Sequence, residues 1–218
     1  MKRLLFFILL YSCITYNGYS QTLDFKEYIN SFKYERTSDI IEFRKISKKG
    51  IQMSKEEALA FVYNGDTAKL YCIQKTINME TEEISHVKQF IFLPNKCMKI
   101  DMGEYFLIAY TSFECFNDLT TSLFLTIIDK TYRIKDNLLV YRGNDYDSDF
   151  HGLLNPLNGN IFLYGNITEA SNRQAIIYKI NDSNMKFEII ALENDAFGSF
   201  DYLIQTLEKL GLKETFMK

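Results

Sequence analysis

The period at which apolar residues recur changes several times along the chain, and each change predicts an element. Leu4 to Leu10 is an unbroken apolar run behind the positive start Met1-Lys2-Arg3. Between Thr22 and Lys33, Leu23, Phe25, Tyr28, Ile29 and Phe32 fall near one side of a helix, which predicts an amphipathic N-terminal helix. Ser38–Ile46 is ambiguous. Ser54 then stands before Lys55-Glu56-Glu57, the spacing of a capping box. Ala58, Leu59, Phe61 and Val62 continue at helical spacing until Asn64-Gly65, so Lys55–Tyr63 is expected as a second helix.

From Ala68 the period shortens to that of a strand. Tyr71, Ile73 and Ile77 alternate with Cys72, Gln74 and Thr76, within a strand-like stretch Lys69–Ile77. After the acidic link Glu80–Glu83, Val87, Ile91 and Leu93 alternate with Lys88, Phe90 and Phe92 until Pro94. The next two stretches differ in kind. In Glu104–Phe113, Phe106, Ile108 and Tyr110 take one parity, while Tyr105, Leu107 and Ala109 take the other. In Thr121–Ile128, Leu123, Leu125 and Ile127 alternate with Phe124, Thr126 and Ile128. Neither face of either strand is written for water, so both belong in the middle of a covered sheet.

Lys130-Thr131 is a short link into Arg133–Arg142, Asn158-Gly159 opens Asn160–Thr168, and Asn181-Asp182-Ser183-Asn184 separates Arg173–Ile180 from Lys186–Leu192. Short links favour antiparallel neighbours and hence a meander. Phe200, Leu203, Ile204, Leu207 and Leu210 recur at helical spacing before Gly211, which predicts a C-terminal helix. The expected fold class is α+β: an antiparallel β-meander sheet of about seven or eight strands, an N-terminal helix pair and a C-terminal helix. A β-sandwich or barrel-like closure is the alternative, because helices on one face leave the other apolar face needing curvature or a second layer.

The start of the chain bears on where this domain works. A positive start, an apolar run and the polar, small-residue stretch Asn17-Gly18-Tyr19-Ser20 make residues 1–20 a secretory signal, too short to span a bilayer. Cleavage after Ser20 makes Gln21 the first residue of a single domain, 21–218. Leu10-Tyr11-Ser12-Cys13 resembles the lipobox of bacterial lipoproteins, and that resemblance implies acylation of Cys13 and membrane anchoring. Either route takes the protein out of the cytoplasm, to the periplasm, the cell envelope or beyond. Past Cys13 the chain holds Cys72, Cys97 and Cys115, compatible with one bridge and one free thiol or with three buried thiols.

Composition removes several chemistries. A net charge of −3, from 25 basic and 28 acidic residues, gathers neither nucleic acid nor anionic lipid. Lys48-Lys49 is the one short basic cluster of note, and before Gly50 it reads as turn surface. No G-x-G-x-x-G, P-loop or G-x-S-x-G is present, and Ser199 in Gly198-Ser199-Phe200 suits a helix cap. His86 and His151 are the only histidines, which removes most histidine-based zinc sites, and no cofactor is implied. Asp145, Asp147 and Asp149 beside His151 form a candidate cation cluster. The pattern departs from a calcium loop, with Phe150 where its glycine belongs and Pro156 where its glutamate belongs, so a solvated turn is the competing reading.

The expectation is an exported, non-enzymatic protein that binds another macromolecule, with a protein partner in the cell envelope. An inhibitor or immunity-type protein is one form, with Glu80, Glu82, Glu83, Asp145 and Asp147 meeting a basic partner. An envelope hydrolase using paired carboxylates is the second reading, and a lipid-anchored structural envelope component the third.

Overall fold

The computed structural model of the chain describes residues 24–35, 39–77, 84–115, 119–143, 148–165 and 174–194, together with Gln205 and Glu208. These last two are helical; the rest of the expected C-terminal helix, Ser199 and the leader with Cys13, Ser20 and Gln21 lie outside the described residues. In order, the elements are α1 (Phe25–Asn30), β1 (Ile41–Glu42), α2 (Phe43–Ser47), β2 (Ile51–Gln52) and α3 (Lys55–Glu57), which runs on as a π-helical turn, Ala58–Val62. A 3-10 turn, Thr67–Leu70, leads into β3 (Tyr71–Ile77) and β4 (Ile84–Ile91). Then come β5 (Asn95–Asp101), β6 (Tyr105–Cys115), β7 (Leu119–Asp129), β8 (Ile134–Gly143), β9 (Ser148–Asn155), β10 (Asn160–Gly165), β11 (Gln174–Asn181) and β12 (Lys186–Asn194).

The molecule is mostly β, with few and short helices among the described residues. The capping box forms as its spacing demands: Ser54 Oγ accepts from the Glu57 amide at 3.1 Å, and Glu57 Oε2 accepts from the Ser54 amide at 2.8 Å. Asn64 and Gly65, at φ of 51° and 78°, then turn the chain out of the helix. The N-terminal helix is shorter than its apolar stripe. It starts at Phe25, where Asp24 caps it by accepting from the Lys26 amide, and stops at Asn30.

Strands occupy the eight stretches read as such, and four more. Two are the two-residue β1 and β2. The others, β5 and β9, form after Pro94, where no element was assigned, and over part of a presumed acidic turn, because their neighbours give their backbones ladder partners. The expected single meander sheet is corrected to two antiparallel five-stranded sheets. The hydrogen-bonded path runs β12-β11-β10-β9-β8-β7-β6-β5-β2, with β1 on β9. It narrows to two residue pairs, Arg142↔Phe150 and Gly143↔Ser148, between β8 and β9. One sheet is therefore β2 and β5–β8, the other β1 and β9–β12. The path is open at both ends, so the barrel alternative does not hold. At the far corner the Phe187 amide donates to Asp136 Oδ2 at 2.9 Å, drawing β12 toward β8.

The doubly apolar strands explain the layering. Tyr105, Leu107, Ala109, Leu123, Leu125 and Ile127 join Leu154, Ile161, Leu163 and Ile180 of the other sheet in one shared core. The opposite parity, Ile108 and Ile128 with Phe106 and Tyr110, packs under Tyr28 and Ile29 of α1, Phe32 just after it and Ala58 of the π-helical turn. A third cluster, with Phe162 and Ile177, lies on the other face of the second sheet. Gly152 permits the tightest approach: an added Cβ would lie 2.1 Å from the Phe162 carbonyl oxygen.

A candidate binding groove at the edge of β5

β5 carries two lysines that face the helices. Lys96 lies opposite Tyr110, and Lys99 opposite Ile108, while Met98 and Ile100 turn to the shared core across an irregularity at Cys97. Both lysines are buried, and side chains at the helix ends accept from them. Lys96 Nζ donates to Glu57 Oε1 and to Ser31 Oγ, each at 2.9 Å, joining the capping box of α3 to the C-terminal cap of α1. Lys99 Nζ donates to Asn30 Oδ1 at 2.9 Å and stands 4.1 Å from the Phe106 ring centroid. Desolvation lowers the Lys99 pKa. Lys130, paired with Asp101, stands 3.8 Å from that same centroid, so the ring is taken up by two ammonium groups and offers no stacking platform.

The outer edge of β5 is covered in two pieces. β2 pairs with its start, Ile51↔Lys96 and Gln52↔Asn95. Farther along, the extended segment 33–35 pairs with Lys99: the Lys99 amide donates to the Lys33 carbonyl at 2.9 Å, and the Glu35 amide to the Lys99 carbonyl at 2.8 Å. Between the two pieces opens a groove of about 490 Å³. Its apolar lining is Ile40, Ile41, Ile46, Ile51, Cys97 and Met98. Around it lie the ion pairs Lys33–Glu35, at 2.8 Å, and Lys45–Glu42, at 2.7 Å, together with Lys49. Gly50, at φ 131°, lets β2 approach β5: an added Cβ would meet the Lys96 carbonyl oxygen at 2.6 Å.

Cys97 is a free, buried thiol whose pKa burial pushes up to about 12, so at neutral pH it is neither a thiolate nor a nucleophile. A second cavity, of about 60 Å³, is lined by Tyr28, Tyr110, Thr126 and Asn137 together with apolar side chains.

Of the residues singled out in the sequence, Lys49 and Cys97 line this groove. Asp149 and His151 lie in β9, and His86 lies in β4 opposite Thr76. Asp145, Asp147, Glu80, Glu82 and Glu83 lie outside the described residues. Among the described residues, no group of three or more His, Cys, Asp or Glu side chains could hold a metal, and no helix is long and apolar enough to cross a membrane. The groove itself left one faint trace in the sequence, the Lys49-Gly50-Ile51 step, where glycine permits the crowding and an isoleucine stays exposed. Comparison with family models, with curated proteins and with solved structures finds no match to the chain.

Proposed function

We propose that the chain is an exported, non-enzymatic protein that binds another macromolecule, taking an extended segment of a protein partner into the groove beside β5. The observation that carries this reading is the gap in the sheet edge, where apolar side chains are left between two separate covering strands. An extended peptide laid there has β2, the last strand of the sheet path, beside it and Ile40, Ile41, Ile46 and Ile51 for its apolar side chains. Three lysines against two glutamates at the rim leave one positive charge in excess, which favours an acidic residue in the segment. Export rests on the basic start and apolar run of residues 1–20, with acylation of Cys13 as the anchored variant. In the inhibitor or immunity-type form, the acids of Glu80–Glu83 and Asp145–Asp149 meet a basic surface of the partner.

Capture from a cell-envelope extract tests the reading. Ile51 is 54% exposed, so Ile51→Glu leaves the core alone. Wild-type protein is expected to hold a stoichiometric partner, and Ile51→Glu to weaken it at least about tenfold through a charge buried against the segment. An unchanged partner on Ile51→Glu and on Ile51→Glu with Lys49→Glu, or no stoichiometric partner on wild type, would sink it.

A further inference from the structure

We infer that Cys72 is bonded to Cys115, and that this bridge fastens the β3–β4 hairpin to the first sheet. The chain has four cysteines. Cys72 is disulfide-bonded and Cys97 is free, which leaves Cys13 and Cys115 as partners. The inference rests on the proposed export: Cys13 departs with the leader or becomes the acylated first residue, and in neither case has it a thiol to give.

Geometry points the same way. Cys115 is the last residue of β6, and β3 packs against β6. The Phe92 ring, just past the end of β4, lies 5.9 Å from the Phe113 ring. Two residues back from Phe92 is Phe90, which stands opposite Cys72; two residues on from Phe113 is Cys115. A step of two residues along a strand returns to the same face. Cys115, and Phe90 opposite Cys72, thus each lie two residues along the chain from that contact.

The hairpin needs such a fastening. β3 and β4 form a two-stranded sheet of their own, off the main path, and Ile73 and Ile91 on it are exposed. Isolated two-stranded hairpins are marginal in water. When the bridge forms, each thiol loses a proton and an electron. The two electrons and two protons pass to a thiol–disulfide oxidant, which leaves as a dithiol.

Peptide mapping of the full chain, expressed with its own leader and recovered from the envelope fraction, decides the pairing. Trypsin without reductant is expected to release Leu70–Lys75 linked to Ile100–Lys130, and reductant to separate them. A link from Cys72 to Cys13 or Cys97, or a Cys72 alkylated without reductant, overturns the inference. Cys72→Ser and Cys115→Ser are each expected to lower Tm by about 10 °C, and the double variant by no more than either single one. Additive losses would also overturn it. Intact mass reports the mature N-terminus separately, so failure of export and failure of the pairing are read from different measurements.

Discussion

Asp129 shows how much one side chain settles. It ends β7, and its Oδ1 accepts from the Thr131 amide at 2.9 Å, the Thr131 hydroxyl at 2.7 Å and the Arg133 amide at 2.9 Å. Those donors, the Arg133 amide foremost, hold its carboxyl at about 2, well below the usual range. The sign follows from linkage: a carboxylate depressed in the folded state stabilises above its unfolded pKa, and that contribution is lost as pH falls through the folded value. Wild-type stability is therefore expected to decline between about pH 4 and pH 2 through this group, and Asp129→Asn to remove that part of the decline. Asp129→Ala, which strands the turn donors, is expected to cost about 1–3 kcal/mol. Urea unfolding across that pH range measures both. Identical acid profiles for wild type and Asp129→Asn would reject the assignment. The sequence placed a turn at Lys130-Thr131, but not the residue that pins it, because an acid at a strand end looks the same whether or not amides converge on it.

At the level of elements, the least legible piece is β5. Its lysines break the apolar alternation, so no strand is read in the stretch after Pro94. Only the folded chain supplies the groups that make a lysine-bearing face tolerable there. Side-chain exposure is 7% for Lys96 and 16% for Glu57, so the pair is an ion pair within the packing of α1, α3 and β5. Removing either member leaves the other poorly compensated. Lys96→Ala and Glu57→Ala are each expected to cost about 3 kcal/mol, with the double variant falling about 1–2 kcal/mol short of their sum. Ser54→Ala, which loses one cap bond, is expected to cost about 1 kcal/mol. A double-mutant cycle by urea unfolding reads these values, and additive costs would show that the pair contributes nothing of its own. The α3 cap, by contrast, was plain in the sequence, because a capping box is closed within four residues.

Across the whole molecule, the shared core makes the two sheets one cooperative unit. Leu125 on β7 and Leu163 on β10 are both fully or almost fully buried in it, though they belong to different sheets. Leu125→Ala and Leu163→Ala are each expected to lower stability by about 2–4 kcal/mol while leaving a single unfolding transition. Two transitions, one moved by each substitution, would mean that the sheets fold independently. The narrow β8–β9 link alone would not couple them; the interleaved side chains of both sheets do.

The sequence by itself determined the strand pairs closed by short turns, the capped helix and the two central strands with no face for water. Each of these is decided by residues within a few positions of one another or by strand parity. It also required cover on both sides of the central strands without saying what the covers are. Tertiary structure decided that one cover is a second sheet and the other a pair of short helices, that β5 is a strand, and that its outer edge is left with a gap. Those outcomes depend on groups far apart in the chain: Glu57 and Ser31 on Lys96, and Leu163 against the parity of Leu125. The groove exists because β2 and the segment 33–35 reach the same edge from different directions, and no local pattern of residues records such a meeting.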